Sequence, residues 1–156
     1  MKVKILSKPE FNQVMGNNKI DDSNVDQIPA ALISINDTHG NWSVSWFDRD
    51  HPNVLRLWFD DVEHNNEVSP TNQDSCSAFS EDQAHQVIEF VKNNREKNFI
   101  VHCSAGISRS GAVGTFINGY CGGNWDEFKG SNPHILPNPR VSRMLNEIVQ
   151  GYKKQK

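Results

Sequence analysis

Cysteine is scarce in this chain. There are three among 156 residues and no Cys-x-x-Cys pair, so no disulfide framework is expected. A reducing, cytoplasmic setting fits that usage best. Long apolar runs are missing too, and nothing has the length to span a bilayer. The opening Met-Lys-Val-Lys-Ile-Leu-Ser is too short for the apolar core of a signal peptide. Positive charge is not in excess: the formal net charge is −3, which implies no broad field for nucleic acid or membrane. No internal repeat is visible. The length suits one domain, residues 1–156, with a real core, and a 36% hydrophobic content is ordinary for a soluble protein.

What is present concentrates in one stretch, Asn98 to Gly114. Phe99, Ile100 and Val101 form a short apolar run of the kind a buried strand needs. A loop containing Gly106 follows. Beyond it Val113, Phe116, Ile117 and Tyr120 recur at helical spacing. A strand therefore enters a tight loop that opens into a helix, with Cys103 at the strand end and Arg109 at the helix start.

Backbone N–H groups in such a loop form an anion-binding nest, and the helix N-terminus adds unpaired donors and partial positive charge. Arg109 adds a planar fork that matches two oxygens of a phosphate. Thiols in such settings have pKa values of roughly 3.5–7.5, against about 8.5 when free. A nucleophilic thiolate beneath a phosphate-sized cup is an arrangement for covalent phosphoryl transfer. The other cysteines serve as controls. Six places after Cys76 stands Asp82, and six after Cys121 stands Glu127; only Cys103 has the arginine.

His102-Cys103-Ser104-Ala105-Gly106-Ile107-Ser108-Arg109-Ser110 resembles the signature loop of the cysteine-dependent protein tyrosine phosphatases (His-Cys, five residues, Arg, Ser/Thr). Its wording is closest to the dual-specificity branch. The resemblance implies a substrate phosphate held by residues 104–110, with Arg109 clamping two oxygens and Cys103 attacking phosphorus. Ser110 would donate to the sulfur, and His102 would stiffen the loop. No cofactor or metal is implied, because the loop amides and Arg109 supply the positive field.

The rest of the chain reads as alternating elements. Val3 and Ile5 alternate with lysines, as in an edge strand. Ser7 and Glu10 have capping-box spacing ahead of Phe11, Val14 and Met15, and Ser80 and Gln83 ahead of Ala84, Val87, Ile88 and Val91. Residues 16–29 read as loop. Ala31–Ile35 and Val54–Phe59 read as strands, and Trp42, Val44 and Trp46 as a further strand-like segment. The polar stretch 64–76 reads as a long loop. A proline-rich connector leads to a final helix carrying Val141, Met144, Leu145, Ile148 and Tyr152. The four tryptophans are assigned mainly to the core, Cys76 to an exposed thiol and Cys121 to a core thiol. The expected fold is α/β and three-layered: a mostly parallel sheet flanked by helices, with the loop at the carboxyl end of a central strand.

Cleaving a phosphate ester needs an acid for the leaving oxygen. In the family resembled here, that acid is an Asp just past an earlier strand. Asp60 and Asp61 follow Phe59 directly. The family pattern favours Asp61, and Asp60 is the alternative. The interval to Cys103 is longer than the family norm, and the 64–76 loop accounts for the excess.

The expected activity is hydrolysis of phosphotyrosine, with or without phosphoserine and phosphothreonine, in a phosphorylated protein or peptide. The tyrosine-recognition loop and downstream Gln motif of the classical tyrosine-specific members are absent. The lysine that lipid-phosphate members place inside the loop is absent as well. Two other classes stay open: a catalytically inactive phosphate-binding module, and a sulfurtransferase, whose cysteine also sits in a strand-to-helix loop. Oligomeric state is not legible.

Overall fold

The structure is a computed structural model that describes residues 1–65 and 76–154. Most of the 64–76 loop therefore lies outside the described residues. Strands β1 (Val3–Ser7), β2 (Ala30–Asn36), β3 (Val54–Trp58) and β4 (Asn98–Cys103) form one sheet in the order β1-β4-β2-β3. Every pair is parallel, so each connection crosses over a face of the sheet.

Side-chain alternation divides the core in two. Ala31, Ile33 and Ile35 of β2, and Phe99, Val101 and Cys103 of β4, face one side. Leu32 and Ile100 face the other. The first face is covered by α2 (Glu81–Asn93), α3 (Arg109–Tyr120), α4 (Trp125–Ser131) and α5 (Pro139–Lys154). The second is covered by α1 (Lys8–Asn17), whose Phe11 and Met15 pack with Leu6, Val25, Phe47 and Val54. The expected three layers are present. Both capping boxes form, with Ser7 and Glu10 exchanging bonds at α1 and Ser80 and Gln83 at α2.

Both outer strands have their edges covered. Asn132 accepts from Ile5 N–H and donates to the Val3 carbonyl, which gives β1 the partners of a missing neighbour strand. Asp50 accepts from Arg56 N–H, and Trp58 Nε1–H donates to the Ser43 carbonyl, so the 41–50 segment lies along the free edge of β3.

That segment corrects one expectation. Trp42, Val44 and Trp46 do not form a strand. Gly40, at φ +83°, turns the chain into a short 3₁₀ turn at Asn41–Ser43, and the bonds to β3 run through side chains. The tryptophans are not core either: Trp42, Trp46, Trp58 and Trp125 are 40%, 38%, 36% and 51% exposed. Two further differences are smaller. A helix, α4, occupies the connector after Gly122, capped by Asn124. Cys76 and Cys121 are both half-buried, so neither is a fully exposed or a fully buried thiol.

Candidate active site

β4 delivers Cys103 to the carboxyl edge of the sheet beside β2, where parallel α/β sheets hold ligands. The side chain is 2% exposed. Its Sγ lies 3.0 Å from Ser110 Oγ, and Gly106 N–H donates to it at 3.3 Å. The loop then enters α3 at Arg109. Ser108 is the N-cap, yet its hydroxyl does not cap the helix; it donates to Asp61 Oδ1 at 2.7 Å. The first N–H groups of a long helix are thus left to face whatever sits in the cup.

Gly106 has a positive φ of +73°, and a Cβ there would lie 2.6 Å from Ser7 N and 2.7 Å from Leu6 C. The loop is pressed against the β1–α1 junction there, where only hydrogen fits.

Arg109 is held on most of its surface. Nη1 donates to the Phe59 carbonyl at 2.8 Å and pairs with Asp37 Oδ1 at 2.8 Å. Nη2 donates to Ser104 Oγ at 3.1 Å. Nε is buried and has no partner among the described residues. A buried charged donor left unpaired is costly. The Nε–Nη2 edge is the one that receives two oxygens of a tetrahedral anion side-on.

The two candidate acids diverge. Asp60 is buried and accepts from Thr38 N–H and Oγ–H and from Ser77 N–H. Its carboxyl is held below the usual range: burial opposes ionisation, but the bonds from Thr38 and Ser77 and the charge of Arg109 outweigh it. Asp61 is exposed at the rim of the loop. Its Oδ1 accepts from Ser108 Oγ–H and from Asn138 Nδ2–H at 2.9 Å. Asn138 also caps α5 through Val141 N–H and donates its own N–H to the Ser108 carbonyl, so it ties acid, loop and last helix together.

A buried polar chain runs beneath the loop. Lys8 Nζ donates to Asn36 Oδ1 at 2.8 Å, and Asn36 Nδ2–H reaches Ser34 Oγ at 3.4 Å. Ser34, the register partner of His102, lies 2.7 Å from His102 Nε2. His102 Nδ1 lies 3.2 Å from the Cys103 carbonyl. A carbonyl only accepts, so Nδ1 carries the proton and Nε2 accepts from Ser34. His102 packs against Phe11, with ring centroids 4.2 Å apart and the rings tilted by 34°, on the α1 face, opposite to Cys103.

Burial pushes the His102 pKa down to about 3, with smaller contributions from Lys8 and Arg109. The ring is neutral in the fold, whereas in the unfolded chain it takes a proton below about pH 6.5. Stability is therefore unaffected above that pH and falls between about 6.5 and 3, by at most about 1.4 kcal/mol per pH unit. Urea unfolding at pH 7, 5.5 and 4.5 should give a steeper loss for wild type than for His102→Gln. Parallel slopes would contradict the assignment.

Sequence reasoning did not single out Lys8, Asp37, Ser34, Asn36 or Asn138. One signal was available: Ser34 and Asn36 are polar residues on one face of an otherwise apolar strand, and such a strand is expected to bury them only with partners.

No protein-family model matches the sequence. No curated protein matches it either. Solved structures do. The human tyrosine phosphatase-like serine/threonine/tyrosine-interacting protein is 19% identical, with a TM-score of 0.51 over 85% of this chain and 86% of that one. A leucine-rich-repeat and phosphatase-domain protein from Entamoeba histolytica is 15% identical, with a TM-score of 0.50 over 99% of this chain and 90% of that one. PTPMT1, solved in complex with PI(5)P, is 14% identical, with a TM-score of 0.51 over 99% of this chain and 94% of that one. The element order, the parallel sheet and these likenesses agree: the chain has the fold of the cysteine-dependent protein tyrosine phosphatase superfamily.

Proposed function

We propose that this protein is a phosphomonoester hydrolase that acts on phosphotyrosine in proteins or peptides, with phosphoserine and phosphothreonine as secondary substrates. One observation carries the reading: Arg109, at the end of the loop that starts from Cys103, is locked by Phe59, Asp37 and Ser104, while its buried Nε–H has no partner among the described residues.

In the first step, phosphate oxygens bind the loop amides and the Nε–Nη2 edge of Arg109. Cys103 Sγ attacks phosphorus as the thiolate. The S–P bond forms as the P–O bond to the phenol or alcohol breaks. Asp61 gives its proton to the leaving oxygen. Its Oδ1 already accepts two donors, so that proton rides on Oδ2. In the second step Asp61, now a carboxylate, takes a proton from water. The water oxygen attacks phosphorus, the P–S bond breaks, and Ser110 Oγ–H stabilises the departing sulfur.

The placement of Asp61 weighs against an inactive binding module, since the carboxylate lies one hydrogen bond from the loop. The Arg109–Ser110 pair weighs against a sulfurtransferase. No described helix is long and apolar enough to cross a membrane. The purified, reduced protein should hydrolyse p-nitrophenyl phosphate, with competitive inhibition by orthovanadate, and should prefer a phosphotyrosine peptide over a phosphoserine peptide and over a phosphoinositide. Absence of turnover together with absence of oxyanion binding would sink the proposal.

A further inference from the structure

Arg109 is a compromised cation. Asp37 Oδ1 sits 2.8 Å from its Nη1, and Asp60 lies within its electrostatic reach. Ser104 Oγ–H donates to the same Asp37 oxygen at 2.8 Å, which holds the carboxylate against the loop. One carboxylate paired with the guanidinium and a second in its electrostatic neighbourhood leave a negative sum, before the thiolate and a dianionic phosphate are added. A cup with that balance repels its ligand unless another positive charge offsets it.

Lys8 supplies one. It is the first residue of α1, and its backbone N–H donates to the Ser104 carbonyl, so the helix start is tied to the loop. The side chain is 5% exposed. Nζ donates to Asn36 Oδ1 and to the Trp42 carbonyl, both at 2.8 Å. These are neutral acceptors, so neither cancels its charge. Lysine is rarely buried without a carboxylate to pair with. Lys8 instead shares the electrostatic neighbourhood of Asp37 and Arg109: burial, the largest influence, and the charge of Arg109 hold its pKa below the ordinary lysine value, while Asp37 supports its charge.

We propose that Lys8 is a positioning residue of the phosphate site. It acts as its second cation, offsetting Asp37 so that Arg109 keeps its attraction for a phosphate dianion. The inference rests on the reading of the loop as a phosphate cup. It gives the site a lysine that the loop itself lacks, delivered from almost a hundred residues upstream of Cys103.

The test is orthophosphate affinity, read as Ki against p-nitrophenyl phosphate and by direct titration calorimetry. Lys8→Gln keeps hydrogen-bond donors for Asn36 and Trp42 but removes the charge. It should raise the Ki about tenfold and raise KM more than it lowers kcat. Lys8→Arg should stay near wild type. Asp37→Asn keeps an oxygen for Ser104 and Arg109 and should tighten phosphate, a change opposite in sign to structural damage. Combined with Lys8→Gln it should recover most of the lost affinity. The inference is overturned if Lys8→Gln binds phosphate within twofold of wild type, or if Asp37→Asn weakens binding. Asp37→Asn decides the matter even if Lys8→Gln does not fold. Wild-type protein that binds no phosphate at all would instead refute the cup.

Discussion

Cys103→Ser is expected to lose turnover of p-nitrophenyl phosphate by roughly 10⁴-fold or more while still binding orthovanadate or phosphate. The two effects separate because the two tasks use different atoms. The proposed nucleophile is one sulfur, 3.0 Å from Ser110 Oγ. The proposed anion site is made of loop amides and the Nε–Nη2 edge of Arg109, and none of these changes when sulfur becomes oxygen. A neutral serine hydroxyl in that cup gets no activation from His102, which faces the opposite side of the sheet with both ring nitrogens engaged. Calorimetric binding with no hydrolysis would support the covalent route. Retained hydrolysis would show that water attacks phosphorus directly and that Cys103 has another job.

Asp61→Asn should lower kcat by about 10²–10⁴-fold for substrates with poor leaving groups, the range a positioned general acid supplies. The loss should shrink for p-nitrophenyl phosphate, whose leaving group needs little protonation. Asparagine keeps an oxygen for Ser108 and Asn138, so the rim geometry survives and the change is chemical. Asp60→Asn is the control. Asp60 receives N–H donors from Thr38 and Ser77 and an O–H donor from Thr38, and an amide cannot accept on both sides. That variant should cost about 1–3 kcal/mol of stability, visible in urea unfolding, with a smaller effect on kcat. A severe kinetic loss at Asp60 with a mild one at Asp61 would exchange their roles.

The neighbours of the site explain why only part of it was legible. Cys103, Arg109 and the residues between them occupy one continuous loop, so their spacing along the chain is their spacing in space. Asp60 and Asp61 were legible as a pair but not as individuals. Adjacent residues leave a strand on opposite sides, and which side meets Ser108 and which meets Thr38 depends on how β3 is placed against β4. The misreading of Trp42 to Trp46 has a related cause. Alternation marks a segment that presents two faces, and a stretch lying across a sheet edge satisfies that pattern as well as a strand does.

Local chemistry in the chain was enough to dictate four strands, the two capping boxes, the helical stripes and the strand-loop-helix that carries Cys103 and Arg109. These follow from propensity, periodicity and near-neighbour hydrogen bonds, which act over a few residues. The charge balance of the cup was beyond its reach. Lys8, Asp37 and Asn138 come from three distant segments, and they meet only because the sheet order β1-β4-β2-β3 sets β1 and β2 on either side of β4 and α5 returns to the loop. Electrostatic energy depends on separation in space, and folding rather than sequence order sets that separation.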